Sequence, residues 1–119
     1  MDADELKART RKLGLRIIKL VEALPSSKAA NVIGNQLLRS GTSVGANYRA
    51  ACRARSKPDF ISKAGIAIEE ADESLYWMEM LTEAEIVPRE RLAPLMQEMD
   101  EVIAILTASA KTARASLKR

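Results

Sequence analysis

The chain contains no histidine and a single cysteine, Cys52, in 119 residues. Without histidine there is no Ser-His or Cys-His catalytic pair, no two-histidine zinc site and no Glu-x-x-His di-metal motif. One cysteine forms no internal disulfide and no thiolate cluster, which fits a reducing cytoplasm. Aromatic residues are scarce at 3% and glycine occurs five times, a composition that favours helices over strands. Apolar runs stop far short of the ~20 residues of a membrane span. The start, Met1-Asp2-Ala3-Asp4-Glu5, is acidic where a signal peptide is basic and then apolar. These absences predict a soluble cytoplasmic protein with one domain over 1–119, no catalytic residue, no metal, no cofactor and no membrane partner.

Charge, by contrast, is abundant and unevenly divided. The net value is +3, but residues 1–63 carry 13 basic and 5 acidic side chains (+8), whereas residues 64–119 carry 6 and 11 (−5). Such a split suits either a basic surface for nucleic acid or two surfaces that attract each other between subunits.

Apolar residues recur every three or four positions in four stretches. The first holds Leu6, Leu13, Ile17, Leu20 and Leu24, and is broken by Pro25-Ser26-Ser27, with Ser27 placed to cap the next helix. The second holds Ile33, Leu37, Val44, Tyr48 and Ala51. Ser56-Lys57-Pro58-Asp59 reads as a helix start, with a serine cap, an early proline and an acid in the first turn. The third stripe is Phe60, Ala64, Ala67, Ala71, Leu75 and Met78; after Ile86-Val87-Pro88 the fourth is Leu92, Met96, Met99, Ile103, Leu106 and Ala110, followed by a basic tail from Lys111 to Arg119. The pattern predicts an all-α protein, an antiparallel up-down four-helix bundle with helices at roughly 3–24, 27–55, 57–84 and 89–115.

Gly41-Thr42-Ser43-Val44-Gly45 matches the Gly-x-Ser-x-Gly nucleophile elbow as a string. That elbow needs a strand before the serine and a histidine beside it, and neither is present. Glycines four apart share a helix face, so Gly41 and Gly45 are expected where two helices approach closely, which offsets their roughly 1 kcal/mol cost relative to alanine. Ser40 and Asn47 flank the apolar stripe and are expected to be at least partly buried, bonded to carbonyls or to a facing helix.

Arg39, Arg49 and Arg53 fall within about 80° of one another on an ideal helix, nearly opposite the stripe. Arg55, Lys57 and Lys63 follow. This set is the candidate nucleic-acid-binding surface: it suits phosphates, which release counterions when neutralised, and it lacks base-reading aromatics. The acids Glu69, Glu70, Asp72, Glu73, Glu79 and Glu83 spread around most of the third helix and do not converge as metal ligands would. On the same helix Ile66, Glu70, Glu73, Trp77 and Met80 form a row off the core stripe, the candidate oligomer interface. Leu15 and Ile18 are likewise off the seam of the first helix.

Leu37-Leu38-Arg39-Ser40-Gly41-Thr42-Ser43-Val44-Gly45-Ala46-Asn47, then Arg55-Ser56-Lys57-Pro58-Asp59-Phe60 and the run Glu69 to Leu81 together resemble the ribosomal-RNA intervening-sequence protein family, and the resemblance extends over about residues 10–110. It implies a standalone four-helix bundle and a homopentamer. It also implies partners: structured RNA or DNA, or a partner protein such as a reverse transcriptase, since a related branch comprises accessory proteins of diversity-generating retroelements. Arg39, Ser40, Ser43 and Asn47 match the second-helix signature, which reads as structural and not catalytic. Many relatives carry a Glu-Gly pair after the asparagine; here the run is Asn47-Tyr48-Arg49-Ala50-Ala51-Cys52, which places the chain in a different branch.

Overall fold

Three short polar side chains start helices. Asp2 accepts the Glu5 N–H at 2.8 Å, Ser27 the Ala30 N–H at 3.1 Å and Ser56 the Asp59 N–H at 3.2 Å. Each satisfies a donor that the first turn leaves open, an arrangement that stabilises by ~1 kcal/mol. In a computed structural model that describes residues 1–117, these caps begin α1 (Ala3–Glu22), α2 (Lys28–Cys52) and α3 (Lys57–Glu83), and Pro88 precedes α4 (Arg89–Leu117). Lys118 and Arg119, the end of the expected basic tail, lie outside the described residues.

The ends differ from the expected boundaries for local reasons. α2 stops at Cys52, not near Arg55, because Arg53 turns its N–H onto the Ala50 and Ala51 carbonyls and Ser56 must be extended to cap α3. α1 stops at Glu22, three residues before Pro25, whose ring disfavours helical backbone at Leu24. α3 closes on Glu85 in the left-handed conformation (φ 58°), with the Ile86 N–H on the Leu81 carbonyl and the Glu85 N–H on that of Thr82. That bonding satisfies the last carbonyls in the way a terminal glycine usually does.

The four helices form the antiparallel bundle that the periodicity predicts, 52 × 21 × 21 Å in extent, with no strand among the described residues. α2 is packed along both α1 and α3, α3 also along α4, and the seam between α1 and α4 is the thinnest. One cluster fills the interior, including Leu13, Ile17, Leu37, Val44, Met78, Met99 and Leu106. α3 contributes the small residues Ala67 and Ala71 to it, and Ala64 to a second cluster with Ala51 and Ala110; with Ser74 all are fully buried, which lets neighbouring backbones close in. Leu95 and Val102 of α4 are also buried, whereas Met96 and Ile103 are only half-buried, so the seam of α4 lies one position away from part of its expected stripe.

Glycine brings α1 against α2. A Cβ on Gly41 would overlap the Ile17 side chain, and one on Gly45 would stand 3.3 Å from the Thr10 carbonyl carbon and oxygen. The expected polar groups are satisfied too. Ser40 is buried and its hydroxyl lies 2.8 Å from that of Ser74, which itself donates to the Glu70 carbonyl; the half-buried Asn47 side chain donates to the Ser43 carbonyl at 2.9 Å.

The thin α1/α4 seam is bridged by Arg9, whose Nε and Nη2 donate to the two Glu98 carboxylate oxygens at 2.7 and 2.8 Å, with Glu101 at 3.6 Å. These bonds hold the Glu98 carboxyl below its ordinary range against the opposing effect of burial, helped by Arg16 and Lys12. A carboxylate whose folded pKa is depressed adds stability above its unfolded pKa, near 4.5, and loses it as pH falls through the lower folded value. Glu98→Gln is therefore expected to cost stability at neutral pH and to flatten the acid side of the profile below pH ~4.5. Urea midpoints measured from pH 7 to pH 3 check this; parallel profiles for both proteins would refute it.

Candidate nucleic-acid interface

α2 turns one face inward through Leu37, Val44 and Tyr48, and the helical period then sets Arg49 and Arg53 on its outer surface, one turn apart. The two arginines stand on a ridge between two concavities. On the α3 side they line a hollow of about 520 Å³ with Ala46, Ala50 and Lys63. On the α1 side they line a groove of about 460 Å³, where Lys7 and Arg11 join them. No carboxylate lines either concavity, and among the described residues none lies within ion-pair distance of Arg11, Arg49, Arg53 or Arg55.

Not every residue of the expected basic set belongs to this ridge. Arg49, Arg53 and Lys63 come together, with the Lys63 ammonium also 2.8 Å from Asp59 one turn away. Arg55 and Lys57 lie at the end of the bundle, where Lys57 meets the Ser116 hydroxyl. Arg39 is directed elsewhere: its guanidinium lies 2.9 Å from Glu70 and also bonds Glu73. The Trp77 indole N–H and Arg39 together hold the Glu73 carboxyl below its usual range, and the bond to Glu73 raises Arg39 in turn. Arg39 thus ties α2 to α3. Lys7 and Arg11 were not evident as members of the patch, because only the register of α1 on α2 brings them beside Arg49 and Arg53; the glycines that set that register were the available signal.

The expected interface row is also divided. Glu70, Glu73 and Trp77 are half-buried and joined through Arg39, with Trp77 packed against the core. Ile66 and Met80 are exposed at 41% and 36%, and Tyr76, outside the expected row, is the most open at 52%. The Tyr76 ring meets Trp77 edge-on at 5.0 Å between centroids.

The elbow-like string Gly41–Gly45 runs through an unbroken helix, and the Ser43 hydroxyl donates to the Arg39 carbonyl at 2.7 Å. Among the described residues no three His, Cys, Asp or Glu side chains converge as metal ligands, and no helix is long and apolar enough to cross a membrane. At the bundle end, burial and the neighbouring Cys52 raise the Tyr48 hydroxyl above its ordinary pKa.

The sequence profile of the 23S rRNA-intervening sequence protein family matches residues 5–108. No curated protein matches the chain. Among solved structures it is similar to a protein of unknown function from the S23 ribosomal protein family of Bacteroides thetaiotaomicron, with 36% identity and a TM-score of 0.87, covering 93% of this chain and 99% of that one. With the matched region running from the first turn of α1 into the last turns of α4, and the same bundle in a solved relative, the chain belongs to the 23S rRNA-intervening sequence protein family.

Proposed function

We propose that the protein is a non-enzymatic, homo-oligomeric binding protein that holds structured RNA or DNA through its basic outer face. The observation that carries this reading is the α2 ridge of Arg49 and Arg53, flanked by Lys63 and continued by Arg55 and Lys57, with no carboxylate lining the hollow. Arg49 and Arg53, exposed and without an ion-pair partner among the described residues, keep their full charge for phosphates. Shape and charge would decide what binds, since no aromatic side chain stands on the ridge for base stacking. In an oligomer the ridge is repeated on every copy, so individually weak contacts add by avidity.

Titration of a labelled ribosomal-RNA hairpin and of a mixed-sequence duplex tests this. The wild type is expected to bind at low salt with a steep salt dependence. Arg49→Glu with Arg53→Glu is expected to weaken binding at least about tenfold and to reduce the salt slope by about two, the share of two phosphates. Absence of binding at low salt, or binding indifferent to the double reversal, would overturn the reading.

A second reading is a protein–protein adaptor, for example an accessory subunit of a reverse transcriptase. It is favoured by Leu15, Ile18 and Tyr76, which are exposed at 55%, 37% and 52% and which phosphates do not require. The gene neighbourhood discriminates: a reverse transcriptase and variable repeats support the adaptor, an rRNA operon the nucleic-acid reading.

A further inference from the structure

The α1/α2 groove is graded along its length. Its floor is made of small residues, Ala8, Gly14, Gly45 and Ala46, because glycines let the helices close there. Toward one end its walls are Lys7, Arg11, Arg49 and Arg53; toward the other they are Leu15 and Ile18. Leu15, more than half exposed, stands one turn from Arg11 on the same face. A phosphate backbone would use the cations and leave these leucine and isoleucine side chains in water. An acidic helix with large apolar side chains would use both.

The chain itself carries such a helix. Between Ala64 and Pro88 there is no lysine or arginine and there are seven acids. Only Glu70 and Glu73 among them are paired, both by Arg39. Glu69, Tyr76 and Glu83 recur every seven residues, so they share the solvent side of α3, with Met80 beside them. All four are exposed. Within one copy this ridge and the groove cannot meet, because α2 packs between α1 and α3. Both faces are therefore unpartnered, opposite in charge and each supplied with apolar side chains.

We propose that the α1/α2 groove receives the acidic outer ridge of α3 from a second copy of the chain. Glu83, with the exposed Glu79 beside it, meets the Lys7 and Arg11 end, Met80 and Tyr76 cover Leu15 and Ile18, and Glu69, about 21 Å from Glu83 along the helix axis, lies beyond the apolar end. The two surfaces differ, so the contact is heterologous: every copy offers one ridge and one groove, and the assembly closes as a ring or extends as a filament. This interface deepens the self-association in the proposed function and rests on that part of it. It leaves Arg55, Lys57, Lys63 and the α3-side hollow that Arg49 and Arg53 also line outside the contact, so that side of the ridge stays open to nucleic acid.

Light scattering on the purified full chain, without nucleic acid, tests the inference through charge exchange. The groove-reversed variant is Lys7→Glu with Arg11→Glu, and the ridge-reversed variant is Glu79→Lys with Glu83→Lys. The wild type is expected at a multiple of 13.1 kDa, five on the family resemblance, and each variant alone at 13.1 kDa with unchanged helical circular dichroism. Mixed one to one, the variants are expected to regain a multimeric mass, since each reversed surface then meets its complement. Leu15→Asp, which leaves every basic side chain in place, is expected to give the single-chain mass as well. A multimeric wild type whose groove-reversed variant stays assembled would overturn this interface while leaving self-association intact. A monomeric wild type at micromolar concentration would overturn both, and failure of the mixture to reassemble would overturn the head-to-tail pairing.

Discussion

Leu106→Ala is expected to lower the unfolding free energy by about 2–5 kcal/mol, with the value toward the upper end of that range. Leu106 is fully buried and belongs to the same cluster as Ala67, Ala71, Met99 and Val102. The loss has two parts: the transfer free energy of the deleted carbons and the void they leave. The void is the larger lever here. Its size depends on how far the surroundings collapse, and the alanines that α3 contributes to this cluster, Ala67 and Ala71, have no long side chains to rotate into the space. α3 is also held by its caps and by the Arg39 bridge to α2, so it cannot translate freely toward α4. Urea unfolding followed by circular dichroism, at matched protein concentration, gives the difference directly. A loss below about 1 kcal/mol with unchanged slope would mean that the helices do close over the gap.

The period of the apolar residues made the bundle legible, because burial of one stripe per helix is a local property of each segment. Leu13, Ile17, Leu37, Val44 and Met78 are buried where the stripe places them. Ser27 and Ser56 cap the helices that they precede, since capping uses only the next three residues. Legibility falls as soon as a side chain's partner is distant in sequence. Arg39 shares a face with Arg49 and Arg53, yet its charge goes to Glu70 and Glu73, 31 and 34 residues away. Trp77 looked like an exposed anchor for the same reason: the Arg39–Glu73 pair that draws it in belongs to the α2/α3 contact and not to α3 alone. Lys7 and Arg11 joined the basic surface only through the α1/α2 register. What was readable was which face of a helix a residue occupies; what was not was the identity of the neighbour across that face.

Gly41→Leu is expected to destabilise the protein by about 3 kcal/mol, at the top of the usual range for overpacking. A single added Cβ already overlaps Ile17, which is fully buried and has no open side into which to turn. A leucine extends further into the same space, so α1 and α2 must separate, and the Gly45 contact with the Thr10 carbonyl must loosen with them. The sign is opposite where the glycine faces open space. Nothing lies within 4 Å of a Cβ built on Gly65, so Gly65→Ala is expected to stabilise by about 0.5–1 kcal/mol through helix propensity alone. Transferring bulk across the contact separates close packing from a backbone requirement. Ile17→Ala alone leaves a void, whereas Gly41→Leu with Ile17→Ala places the leucine where the isoleucine was. The double variant is expected to be more stable than either single one, with a coupling energy of about 1–3 kcal/mol. Additive losses in that cycle would mean that Gly41 is needed for backbone reasons and not for the approach of α1. Because Gly45 floors the groove and its contact with α1 loosens when the helices separate, Gly41→Leu is also expected to weaken self-association beyond its effect on folding. Light scattering well below the unfolding midpoint, where the fold is intact, reads that second effect.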